Sequence, residues 1–151
     1  MQKSSLLFTL ACAVSVSWAG PIAIGSSTQS LAFGSLVAGS GGNVTVSPAS
    51  VRSTSGGVVL VPSGAGAAAQ FSVTGDPSAT YAITLPANGV VLLTSGSNTM
   101  AVNNFTSNPA SIGQLSGGGS QTLTVGATLG VGSNQASGSY SGSFNVTVIY
   151  N

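Results

Sequence analysis

Three side chains in this chain of 151 residues are formally charged, Lys3, Arg52 and Asp76; there is one cysteine, Cys12, and no histidine. Proton transfer, nucleophile activation and metal binding draw on imidazole, carboxylate, amine and thiolate groups brought together in one place. A single carboxylate without an imidazole cannot make a dyad or a triad, so the chain reads as a non-enzyme without metal or organic cofactor. Asp76 sits in Gly75-Asp76-Pro77-Ser78, where the ordinary work of an aspartate is a turn hydrogen bond to nearby backbone. Arg52 follows Pro48 and Val51 in a polar stretch, and backbone carbonyls or Asp76 are its natural partners. The glycine clusters lack a following Lys-Ser/Thr and a strand-to-helix context, so they do not read as phosphate cradles. One arginine cannot neutralise a phosphate backbone, and nucleic acid is excluded as a partner.

The first nineteen residues read as an export signal. Lys3 precedes an apolar run from Leu6 to Val16, and small residues Ser17 and Ala19 flank Trp18, which places cleavage between Ala19 and Gly20. The run is short of the ~20 residues a spanning helix needs, so no stable membrane insertion is expected after cleavage. Leu10-Ala11-Cys12 is the core of a lipoprotein alternative, but Thr9 stands where such a box carries leucine. The mature chain, residues 20–151, then has no cysteine, and no disulfide closes its loops. The protein is expected to be secreted, at the cell surface or outside the cell.

The elements show in the period of the apolar residues. Leu123, Val125, Ala127, Leu129 and Val131 alternate with Thr124, Gly126, Thr128 and Gly130, the period of a half-buried strand. Tyr140, Gly142, Phe144, Val146, Val148 and Tyr150 share one face of a last strand, and Phe71 and Val73 are joined through the Asp76 turn to Tyr81, Ile83 and Leu85. Further strands are predicted at 30–38, 43–47, 58–61, 90–93 and 99–105, between Gly/Ser clusters such as Gly39-Ser40-Gly41-Gly42 and Gly117-Gly118-Gly119. About nine short strands without helical periodicity predict an all-β antiparallel sandwich or barrel in one domain. Tyr81, Tyr140 and Tyr150 fall on apolar faces and should pack inside or at an interface.

The near absence of charge has a second meaning in such a fold. Sheet edges are usually protected by lysine and by net charge, and residues 20–151 have no lysine and one charged side chain of each sign. The chain also stops directly after its strongest strand. Both features point to pairing between copies of the chain.

Two stretches, Ser30-Leu-Ala-Phe-Gly-Ser-Leu-Val-Ala-Gly-Ser-Gly-Gly-Asn-Val-Thr-Val-Ser-Pro48 and Gly138-Ser-Tyr-Ser-Gly-Ser-Phe-Asn-Val-Thr-Val-Ile-Tyr150, resemble the opening and closing strands of small exported bacterial fimbrial subunits. With residues 71–86 they are similar to a domain-of-unknown-function family of secreted β-proteins and to spore coat protein U-like pilins of the chaperone-usher type. The resemblance implies an incomplete immunoglobulin-like antiparallel β-sandwich, residues 31–151, completed by a strand donated from the N-terminal extension, residues 20–30, of a neighbour. The donor side then carries Ile22 and Ile24, and either the donor segment is short or Leu31 and Phe33 extend it and the first true strand begins later; Tyr140, Phe144, Val146, Val148 and Tyr150 are on the acceptor side. The resemblance implies a homopolymeric pilus or fibre, with a periplasmic chaperone and an outer-membrane usher as assembly partners. The alternative is a self-contained binding module for a surface glycan, with loop 107–119, including Asn108, Pro109 and Gln114, as its site.

Overall fold

The computed structural model describes residues 21–151, so the export segment, Cys12 and the cleavage point Ala19–Gly20 lie outside the described residues. The described residues form strands and no helix, as the period-2 pattern predicts, but twelve strands rather than about nine. In chain order these are β1 (Ala23–Ile24), β2 (Leu36–Val37), β3 (Gly42–Val46), β4 (Arg52–Gly56), β5 (Val59–Leu60) and β6 (Ala69–Thr74). They continue with β7 (Thr80–Thr84), β8 (Val91–Ser95), β9 (Asn98–Asn108), β10 (Ile112–Gln114), β11 (Ser120–Val131) and β12 (Thr147–Tyr150).

Every ladder is antiparallel, and β11 organises the larger, seven-stranded sheet. Along one edge β11 pairs first with β6, from Ser120↔Thr74 to Val125↔Ala69, and then with β3, from Ala127↔Val46 to Val131↔Gly42. Along its other edge it pairs with β9, and β8 lies beyond. The change of partner falls at Gly126, where any side chain would run into the carbonyl of Val46. Only glycine lets the backbone of β3 come that close.

A second sheet, β10-β7-β12, faces the first. Val73, Leu123 and Val125 from the large sheet pack against Tyr81, Leu115 and Val148, all buried, in one core cluster. Another cluster gathers Val44, Val46, Val102, Ala127, Leu129 and Val131 around Phe33 and Met100. The alternation read in 123–131 is thus the inward face of β11, and the architecture is a β-rich, sandwich-like pair of sheets. Sandwich cores of this kind draw most of their stability from apolar burial, about 25 cal/mol per Å².

Differences from the sequence reading have local causes. The strand expected over 30–38 is broken, with a bridge at Ala32↔Ala67 and a ladder only at Leu36–Val37, because the segment changes partner midway. β4 has no apolar period to read, being an exposed edge strand of Ser, Thr and Gly after Arg52. β9 is longer than predicted and carries a bulge. Between Gly126↔Thr106 and Thr128↔Asn103, Asn104 and Phe105 oppose Ala127 alone, and Asn104 takes a φ of 49°. A one-residue slip reverses the faces of a strand. Before the bulge Met100 and Val102 point inward; after it Phe105 does, instead of Asn104. Asn88 holds the bulge, accepting from the Asn104 amide at 2.7 Å through Oδ1 and donating through Nδ2 to Asn104 Oδ1 at 3.3 Å.

Candidate assembly groove

The residues expected to donate a strand are inside the fold of their own chain. β1 pairs with the end of β6 as Ala23↔Thr74 and Ile24↔Val73, and the Gly25 amide donates to the Ser72 carbonyl at 2.8 Å. Pairing resumes further on, where Thr28 and Gln29 bond Gln70 and Ala32 exchanges two bonds of 2.8 Å with Ala67. Between Gly25 at Ser72 and Gln29 at Gln70, Ser26 and Ser27 make no backbone bond to β6 and Thr28 shares Gln70 with Gln29, so the N-terminal strand bulges at Ser26–Thr28. Ile22 and Ile24 pack against the cluster around Tyr81, Leu31 touches both clusters, and Phe33 is buried in the one around Leu129.

After Ala32 the chain leaves β6 and comes under the hold of Arg52. Nη1 donates to the carbonyls of Phe33 and Ser35, each at 3.1 Å, and Nη2 to that of Val61 at 3.0 Å. These are the carbonyl partners anticipated for this side chain. Gly34 sits against the guanidinium with a φ of 72°, and a side chain there would meet Nη1 and the carbonyls of Gly64 and Ala65.

The acceptor-side residues come together at the other end of the chain. β12 pairs with β7 from Thr147↔Thr84 to Tyr150↔Tyr81, but the ladder starts later than the alternation predicts. Residues 142–146 keep the alternation, Phe144 and Val146 half-buried and Ser143 and Asn145 exposed, yet make no backbone hydrogen bond to any described residue. Upstream, Ser141 bridges Thr94 with bonds of 2.8 and 3.1 Å, and the Tyr140 hydroxyl donates to the Ala136 carbonyl at 2.8 Å. The Phe144 ring makes an edge contact with Phe71, centroids 6.3 Å apart, and a tilted one with Phe105 at 5.1 Å. Val148 is buried, and Tyr150 Oη accepts from the Asp76 amide at 2.7 Å.

These two segments line an open groove of about 1330 Å³. Its lining comprises residues 31–39, residues 134–144 and inward side chains of the large sheet, including Phe71, Leu93, Met100, Phe105 and Leu129. The two segments meet where the Asn134 amide donates to the Gly39 carbonyl at 3.3 Å. The lining is apolar in its depth and serine- and glycine-rich along residues 134–143. Small-molecule sites span about 300–1,000 Å³, and this groove is larger.

The residues suggested for a glycan site are occupied with local structure. Gln114 Nε2 donates to the Ser78 carbonyl at 3.2 Å and its amide to Gln121 Oε1 at 3.1 Å, in the short strand β10 that sequence reading leaves within a loop. Asn108 pairs in β9 and its carbonyl accepts from Thr124 Oγ1 at 3.3 Å; the Asn108–Pro109 peptide is cis. The bulge at Asn104, which aims Phe105 into the groove lining, and the run at 142–146 had no advance signal except a preference of asparagine for positive φ.

Neither the curated proteins nor the solved structures gave a match to this chain. A family model described as a domain of unknown function, DUF4402, matches residues 24–150. That span runs from the second residue of β1 to the last of β12 and takes in both sheets and the groove, and the chain belongs to the DUF4402 family.

Proposed function

We propose that the protein is a structural subunit of an extracellular bacterial fibre, an incomplete immunoglobulin-like sandwich that polymerises by accepting an N-terminal strand from a neighbouring copy. The observation that carries this reading is the run 142–146, an extended segment with alternating burial and no backbone partner among the described residues, beside an apolar groove. An inserted strand would saturate those backbone groups and cover the groove lining, the chemistry of β-strand addition. The segment best suited to donate is residues 20–32, which carry Ile22, Ile24 and Leu31 and lie on the edge of the sheet rather than within it. In the monomer these residues rest on β6, so assembly requires them to leave it. Export, and passage through a chaperone and an usher, belong to the same reading.

A lock on the strand tests it. Ala23 and Thr74 are exposed Cα partners, and antiparallel partners lie within disulfide reach. In mature protein carrying Ala23→Cys and Thr74→Cys, an intramolecular disulfide should abolish fibres seen by negative-stain microscopy, and reductant should restore them. Fibre growth by the oxidised protein at the unmodified rate would sink strand donation. Deletion of residues 20–30 should have the same effect, with growth partly recovered on adding a peptide of that sequence.

A further inference from the structure

We propose that Arg52 is the positioning residue of assembly: it holds residues 33–35 as a wall of the groove while residues 20–32 peel away, and so fixes where the donated strand ends. This rests on the strand-donation reading. The chain changes partner between Ala32 and Phe33. Up to Gln29 its backbone bonds go to β6, and those of Ala32 to Ala67 just before that strand; from Phe33 on, the carbonyls of Phe33 and Ser35 go to the guanidinium, and the Ser35 carbonyl also accepts from the Val61 amide at 3.1 Å. Arg52 itself is anchored in the large sheet, opposite Val46 in the β3–β4 ladder.

The two holds differ in kind. The N-terminal strand is attached by neutral amide–carbonyl bonds at an exposed edge, interrupted by the bulge at Ser26–Thr28. Residues 33–35 are attached by charge-assisted bonds, roughly twice as strong, from a planar fork that reaches three carbonyls at once. Phe33 adds a buried ring, 7% exposed. The weaker hold opens first, and the chain pivots at Gly34, whose positive φ and missing side chain the clamp requires. Phe33, one of the two residues that would extend a longer donor, therefore stays behind. Without the clamp, departure of residues 20–32 would carry the wall with it and close the groove to an incoming strand.

Segment-resolved hydrogen exchange and microscopy on the mature chain test this together. In Arg52→Gln, protection of residues 33–37 should fall by at least ~10-fold, the factor for one lost charge-assisted bond, while 23–30 and the β11 core keep theirs. Fibres should be lost, and Arg52→Lys, which keeps the charge without the fork, should recover them only in part. Gly34→Ala should reproduce the loosening of 33–37 with Arg52 in place, which guards against a variant that merely unfolds. Unchanged protection at 33–37, or wild-type fibre growth by Arg52→Gln, overturns the clamp. If the unmodified chain forms no fibres, strand donation fails by itself, and equal loosening of 23–30 and 33–37 in Arg52→Gln then overturns the division of the segment at Phe33.

Discussion

At the scale of single residues, a few side chains set geometry that the apolar pattern does not encode. Asn104 occupies a left-handed conformation that asparagine tolerates and β-branched residues do not. Asn104→Val should cost about 1–3 kcal/mol in urea unfolding, whereas Asn104→Gly, which fits the backbone and loses only the Asn88 contact, should cost less. Tyr81 is a second such residue, fully buried, its hydroxyl donating to Gln121 Oε1 at 2.7 Å. Burial pushes its phenol above the ordinary tyrosine value, because a phenolate would be desolvated there. An unfolded chain therefore releases that proton first, so the contribution to stability is whole below about pH 10 and is lost as pH rises through the folded value. Alkaline absorbance titration should show a late-ionising phenol that disappears in Tyr81→Phe, and that variant should flatten the alkaline loss of stability.

Among the elements, what the sequence made legible was inward-facing alternation. β11, β7 and β12 were readable because Leu123, Val125, Tyr81 and Val148 face a dry core at every second position. β4 and β10 were not, since neither has apolar residues in alternation, and their existence is decided by the neighbour that pairs them. The terminal strand shows the limit from the other side. Its side-chain period begins at Tyr140, but its ladder begins at Thr147, because period records burial and a ladder needs a partner. Ile22 and Ile24 were legible as apolar and as N-terminal, but not as a strand already laid along β6. A period of two says which side chains point inward, not which edge the strand will choose. The candidate site was thus legible in its residues and hidden in its connections, above all the three carbonyls gathered by Arg52, which lie at separate places in the chain.

For the whole molecule, scarcity of charge governs behaviour. Among the described residues only Arg52 and Asp76 have formally charged side chains, and exposed apolar residues line up across the three-stranded sheet, Ile112 and Ile149 both standing opposite Ala82. Such a surface offers little repulsion to a second copy. Ile149→Lys puts a charge on β12 without entering the core, and it should leave the thermal midpoint within a few degrees while lowering light scattering in concentrated mature protein. The bulge at Ser26–Thr28 has a mechanical consequence. Where β6 advances from Ser72 to Gln70, the N-terminal strand spends two additional residues. A chain pulled at its N-terminal strand would release the Ile24 end and then the Thr28 bonds to Gln70, and pay out that slack before load reached Gln29. At ~3.3–3.6 Å per residue the reserve is about 7 Å, a short give that is spent before the two sheets take the load.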